Sequence, residues 1–398
     1  MERTKTLILL GMDTPTGLCI TRELGEDGVR VIGVYGSRFS VGAASKYTFA
    51  KHKRAPKEAL IEQLLSLIAH YQADAFLAVS ENDIQWINQH REQFSIPLMF
   101  PDQARMANVL DKQSTYQQAK QCDVPTPRSY QIHSLAALQD LESQLSYPVV
   151  IKWPDPIAMI HTLQAHQLPL IKADYADNLT ELEHKLAPYQ SLGQFPLIQI
   201  YHKGHGLGQF FLIHNGEVIQ RFQHKRIHEW PPEGGYSTYC ESLDNHEHHA
   251  LFEKSEALLK SLNWEGVAMV EYRFDEQSGE AVLMEINGRF WGSYPLAYHA
   301  GAKMAKLYFD AVTGEPVNAP TPKAGVQCRF MIPETKRLIR VLLQPNKIQD
   351  KQYINTPLKD LSRYLMAFIR PKSHYFVFQW KDPKPLLQDL WGIVRGRF

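Results

Sequence analysis

Two glutamates sit inside runs that are otherwise apolar strands, and this constrains the chain more than any other feature. Glu271 lies within Val267-Ala268-Met269-Val270-Glu271-Tyr272, and Glu285 near the end of Ala281-Val282-Leu283-Met284-Glu285-Ile286-Asn287. A carboxylate buried without a partner is expensive and is normally neutralised or excluded. The short turn from Asp275 to Gly279 lets the two strands pair antiparallel, which brings the glutamates together. With the Asn287 amide they form a set of hard oxygen ligands. Magnesium (or manganese) takes such a set while keeping waters and substrate phosphates. Arg289, two residues further on, has the planar fork that suits a phosphate or an acyl phosphate.

A lysine supplies the other half of the pattern. Lys152 ends the buried-type strand Tyr147-Pro148-Val149-Val150-Ile151-Lys152, where a solvated lysine is not expected. A triphosphate would neutralise it there. Alternatively it snorkels out to water, and Glu271 pairs locally with Arg273. Lys112, which opens a helix, is a second phosphate candidate. Each local explanation is reasonable alone. Two lysines followed in order by two embedded carboxylates favour one shared site.

The rest of the chain alternates strands and helices. Thr6–Leu10 runs into the turn Gly11–Gly17, a helix-like segment and a second strand, Val29–Tyr35. This opens a doubly wound parallel sheet. The glycine spacing does not match the dinucleotide fingerprint, so nicotinamide binding is unsupported. Residues 57–70 have helical periodicity, and Ala75–Val79 reads as a third strand. It ends on Ser80 and Glu81, at the carboxyl edge where open sheets bind ligands, so Glu81 is a substrate candidate. Pro101 closes this first lobe. Further on, Ser134 is expected to cap a helix reaching Leu145, and Asn178 one over 178–187. Leu197–Tyr201 reads as a strand, and Asn215-Gly216 marks a hairpin between 210–214 and 217–222. A helix over 247–262 leads into the two glutamate-bearing strands. The expected domains are an N-terminal lobe (1–105), a small α+β lobe (106–195), a large α+β lobe with the metal site (196–322) and a helical, basic extension (323–398).

Several classes are excluded or left without support. No stretch is long and apolar enough to span a membrane, and the N-terminus lacks the pattern of a signal peptide, so a cytoplasmic location is expected. Cys19, Cys122, Cys240 and Cys328 are far apart, with no CxxC pair, and read as reduced thiols. His246, His248 and His249 read as solvated, and His202 and His205 lack a spacing that forces a metal. There is no GxSxG nucleophile elbow. The net charge of +1 conceals an acidic body (−9 over 1–322) and a basic tail (+10 over 323–398). Nucleic acid suits the acidic body poorly. In the tail, Leu361, Leu365 and Phe368 share one helical face, as do Leu387, Leu390 and Trp391. Such a tail suits either an anionic membrane or a packing or homodimer helix.

The order of these motifs resembles the ATP-grasp superfamily. Asp111-Lys112 followed by Val124-Pro125-Thr126-Pro127 is similar to the first lysine and the Gly-Val-Pro-x-Pro stretch, with Asp123 replacing the glycine. Pro148–Lys152 is similar to the second nucleotide lysine. Gln199-Ile200-Tyr201 resembles the strand whose backbone holds adenine, with Gln199 in place of a frequent glutamate. Glu271, Glu285, Asn287 and Arg289 match the metal positions and the following arginine. The resemblance implies ATP and magnesium as cofactors. It also implies an α/β fold with a doubly wound parallel N-terminal lobe, two α+β grasp lobes and the helical basic tail. Within the superfamily the chain looks most like carboxylate–amine ligase-like proteins acting on envelope or exopolysaccharide building blocks, including D-aspartate ligase-like enzymes. Its substrates would then be a small-molecule carboxylate and an amine, joined through an acyl phosphate. Phosphoryl transfer without ligation, or a nucleotide-binding scaffold in glycan assembly, remain as alternatives.

One departure stands out. Many members place a glycine-rich flap after the second lysine, whereas here Trp153-Pro154-Asp155-Pro156 and residues 157–170 contain no glycine. Lys172 is a candidate to assist with the phosphates. On the acceptor side, Arg226, His228 and Ser237, around the turn Glu233-Gly234-Gly235, are candidates to bind a substrate carboxylate or phosphate. Ser293 is a candidate pocket residue.

Overall fold

The computed structural model describes residues 3–395 apart from 155, 172, 349–352 and 354. The first sheet comprises β1 (Thr6–Leu10), β2 (Arg30–Tyr35), β3 (Thr48–Lys53) and β4 (Ala75–Ala78). It is wholly parallel, in the order β3-β2-β1-β4. β1 is fully buried, as a central parallel strand must be. Thr14 then stops the chain and caps the helix Pro15–Glu26 by accepting from Gly17 N. β3 has no counterpart in the sequence reading. It is an edge strand that alternates half-buried and exposed positions, with no apolar run to mark it. Beyond β4, Ser80 caps the helix Glu81–Asn88 and leaves Glu81 at the carboxyl edge of the sheet.

The second sheet is antiparallel and small: β5 (Ser129–Tyr130), β6 (Val149–Lys152), β7 (Asp174–Ala176) and β8 (Leu197–Ile200), in the order β5-β8-β6-β7. It has its own core, in which Val149, Ile151 and Ile198 pack with Leu138, Leu182 and Leu186. Asn178 caps the helix Leu179–Leu186 as its spacing predicts. The helix expected from Ser134 to Leu145 is shorter. It covers Ala137–Leu141 and tightens into a 3-10 turn over Glu142–Gln144. Ser134 meets Ala137 N through its carbonyl rather than its hydroxyl, so no side chain caps this helix. Asp123, standing where the resembled motif has glycine, adopts φ 54°, the left-handed region that aspartate tolerates.

The third sheet has seven strands: β9 (His205–His214), β10 (Glu217–Trp230), β11 (Tyr236–Ser242), β12 (Gly266–Phe274), β13 (Ala281–Asn287), β14 (Gln327–Arg329) and β15 (Ser373–Tyr375). Their order is β13-β12-β9-β10-β11-β14-β15, antiparallel except for the last pair. Asn215 and Gly216 both take positive φ, giving the primed turn that matches the twist of a hairpin. Both faces of this sheet are covered. Phe210 and Leu212 pack in one core with Leu7, Leu18 and Trp291, whereas Phe211 and Ile213 pack in the other with Phe252 and Leu258.

The C-terminal segment supplies the helices Met331–Leu343, Pro357–Met366 and Lys384–Val394, and also β14 and β15. It is tied to the body by a buried ion pair and a buried hydrogen bond. Arg22 meets Asp382 at 3.0 Å, and His228 Nδ1 meets Glu334 at 2.6 Å. Among the described residues no helix is long and apolar enough to cross a membrane.

Candidate active site

β12 and β13 pair so that Glu271 lies directly opposite Glu285. Neither carboxylate is left bare. Arg226 of β10 donates to Glu271 at 2.6 Å and to Glu229 at 3.3 Å, and Arg273 donates to Glu229 at 3.4 Å. β9 runs between these strands, and Gly206 is what admits the cluster. A Cβ there would stand 2.6 Å from Arg226 Cδ and 2.9 Å from a Glu229 oxygen. The local alternative, a Glu271–Arg273 pair, is replaced by Glu271–Arg226.

Glu285 is held from the other side. Lys112 Nζ lies 3.5 Å from it, and Asn287 Nδ2 donates to it at 3.1 Å. Asn287 Oδ1 accepts from Arg289 at 3.3 Å, and Arg289 Nε in turn lies 3.3 Å from Glu81. A continuous polar chain therefore runs from Lys112 through Glu285, Asn287 and Arg289 to the sheet edge of the first lobe.

Between the small and large sheets lies a cavity of about 300 Å³. Lys112, Lys152, Gln199, Ile200, Tyr201, Arg226, Glu271 and Glu285 all line it. Lys152 is buried at the end of β6. Burial, then the nearby Lys112, lowers its pKa to about 7, against the pull of Glu285 and Glu271. Burial also raises the pKa of Glu271, and Arg226 offsets only part of that push. For Glu285 burial is outweighed by Lys112 and the Asn287 hydrogen bond, and its pKa falls below the ordinary value.

The donor set suits a hard divalent cation. Among the described residues no three His, Cys, Asp or Glu side chains cluster as a self-sufficient metal cage. Two opposed carboxylates and an amide are nonetheless what magnesium uses when phosphates and water complete its shell. A cation here would share Glu271 with Arg226, and the Asn287 oxygen now faces Arg289.

Glu81, Asn287 and Arg289 do not line the cavity themselves, being joined to it through Glu285, and three further expected substrate residues lie elsewhere. Register shifts on both sides of His228 turn it away from the cavity. It is buried against Glu334, and its Nε2 lies 3.4 Å from Asp360. Ser237 is buried in β11 and does not line the cavity. Ser293 is also buried, and its Oγ meets His224 Nε2 at 3.0 Å in the core beside Trp291. Lys172 lies outside the described residues.

Glu233, from the expected substrate turn, also lines the cavity, and Tyr175, Glu229 and Arg273 line it without having been expected there. Glu229 carried a signal that could have found it, a carboxylate in the same strand-like run as Arg226. Tyr175 Oη donates to the Glu233 carbonyl at 3.0 Å, clasping the small lobe to the large one. Glu233 Oε2 is buried and has no hydrogen-bond partner among the described residues. In place of a glycine flap, the segment after Lys152 forms the helix Pro156–Ala165. Trp153 anchors its start, packed edge-on against Tyr189 at 5.5 Å.

Residues 232–331 match a family model described as "ATP-grasp in the biosynthetic pathway with Ter operon". A search of curated proteins finds no match. Solved structures do match. Biotin carboxylase from Campylobacter jejuni, in complex with β,γ-ATP, aligns with a TM-score of 0.63 at 16% identity, over 81% of this chain and 74% of that one. N5-carboxyaminoimidazole synthetase from Staphylococcus aureus, complexed with ADP, gives 0.59 at 13% over 80% of each chain. L-amino acid ligase from Bacillus licheniformis gives 0.55 at 18%, over 79% and 75%. At these identities the likeness establishes the fold, and the family model adds its own match over the stretch that holds both glutamates. The chain therefore has the fold of these enzymes, and its residues 232–331 match an ATP-grasp family model.

Proposed function

We propose that the chain is an ATP-dependent ligase that activates a carboxylate as an acyl phosphate and transfers the acyl group to an amine, releasing ADP and phosphate. The observation that carries this reading is the convergence of Lys112, Lys152, Glu271 and Glu285 on one cavity between two lobes. The names of similar folds support it: a carboxylase with an ATP-type ligand, a synthetase with ADP and an amino acid ligase.

In this reading adenine lies against the backbone of Gln199, Ile200 and Tyr201, and Lys112 and Lys152 hold the phosphates. Glu271, Glu285 and Asn287 would hold magnesium or manganese, which supplies charge neutralisation on the transferring phosphoryl group. The chain's own contribution is positioning, with little covalent chemistry. Arg289, bracketed by Glu81 and Asn287, is the candidate to steady the acyl phosphate and its oxyanion when the amine attacks. Glu81 is the candidate for orienting the amine-bearing substrate.

The test is phosphate release on panels of amino acids and sugar acids, with product masses measured. Release that depends on both a carboxylate and an amine, with a product heavier by the acyl group, is the expected result. Glu285→Gln should lower turnover by about 10²-fold or more. Tight ATP binding with no phosphate release on any panel would overturn the ligase in favour of a scaffold.

A further inference from the structure

Two helices of the C-terminal segment are built inside out. In Pro357–Met366 the buried residue is Asp360, whereas Leu358, Leu365 and Met366 face solvent. Positions 358, 362, 365 and 369 recur at intervals of four and three, so Leu358, Ser362, Leu365 and Ile369 form one outward stripe running into the following turn. In Lys384–Val394 the buried residues are Pro385, Asp389 and Gly392, whereas Leu387, Leu390, Trp391 and Val394 are exposed. A helix on a water-facing surface has the reverse arrangement. Sixteen large hydrophobic residues are exposed among the described residues, and thirteen of them fall between Ile339 and Val394.

The charges of this surface are equally one-sided. The acidic residues between 357 and 395 are Asp360, Asp382 and Asp389, and all three are buried. Asp360 is held by Arg337 at 3.1 Å and Asp382 by Arg22 at 3.0 Å. Lys359, Arg370, Lys372, Lys381, Lys384 and Arg395 remain exposed. The outward side of each helix is therefore apolar and cationic, with its carboxylates withdrawn.

We propose that these helix surfaces dock on an anionic lipid bilayer, each helix lying in the interface with its apolar side chains among the acyl chains and its lysines at the headgroups. Charge decides between occupants: a second copy would set one cationic face against another, whereas an anionic leaflet complements it. Attachment is peripheral, since no described helix is long enough to span. The proposal stands independently of the ligase reading.

The test is flotation of the full chain with vesicles of phosphatidylcholine alone or mixed with phosphatidylglycerol. Binding to the mixed vesicles, weakened by salt and absent on phosphatidylcholine alone, is expected. Lys359→Glu and Lys384→Glu should each weaken binding about fivefold or more. Leu365→Glu with Ile369→Glu should weaken it by about tenfold or more, leaving ATP binding and Tm unchanged, because these side chains lie on the surface away from the cavity. No flotation with anionic vesicles would overturn the proposal. So would concentration-dependent dimerisation in lipid-free solution that the Leu365/Ile369 variant abolishes.

Discussion

Lys152 shows how surroundings set the charge of a single side chain. Its pKa of about 7 lies far below the unfolded value near 10.5, so between those values the unfolded chain binds the extra proton. Stability therefore rises with pH through that window, and below it the buried charge destabilises the ligand-free protein in full. Lys152→Met should raise the Tm of the ligand-free protein at neutral pH while greatly weakening ATP binding. In the natural protein nucleotide phosphates should draw a proton onto Lys152. Calorimetry at pH 8 in buffers of different ionisation heat should then show proton uptake on binding, and affinity should fall as pH rises above 7. Absence of uptake would remove Lys152 from the phosphate site. Much of this site was legible because a lysine or glutamate inside an apolar run is conspicuous in sequence. His228, Ser237 and Ser293 were misplaced because their direction depends on bulges and core packing. No local pattern encodes those.

At the scale of elements, the contact between β10 and the C-terminal helices rests on a buried polar group. Burial pushes the Asp360 pKa up, but hydrogen bonds from His228 and Arg337 prevail and bring it down to about 2. A depressed carboxylate stabilises fully above its unfolded value of about 4 and loses that contribution as pH falls toward 2. Asp360→Asn should remove this acid-sensitive contribution and loosen the helix Pro357–Met366. Hydrogen exchange would register faster exchange in that helix, with the parallel sheet unchanged. The hairpin at Asn215-Gly216 and the cap at Asn178 were legible because each is local chemistry. β3 and β11 were not. The first is an unmarked edge, and the second carries mixed polarity that only its neighbours in the sheet explain.

Across the whole molecule, the ATP-grasp fold sets a small sheet over a large one, and the Tyr175 hydroxyl spans the gap to Glu233. Tyr175→Phe removes this clasp without changing the bulk of the ring. It should raise the KM for ATP several-fold with a smaller change in kcat, as steady-state kinetics would show; an unchanged KM would make the clasp incidental. The lobes themselves were visible in the order of strands and helices, but the clasp joins residues 58 positions apart and leaves no periodic trace.

The Arg226–Glu271 contact carries one more consequence. Lys112, Lys152, Arg226 and Arg273 face Glu229, Glu233, Glu271 and Glu285 around a single cavity, so basic and acidic side chains are matched in number before any ligand arrives. On the proposed function, binding a nucleotide with its metal would be an exchange of partners: Arg226 and Lys112 would give up carboxylates as phosphates and a cation took their places. The site behaves less like a vacant positive cleft than like a crystal lattice in which one ion substitutes for another. Its selectivity rests on geometry, because bulk attraction has already been spent within the protein.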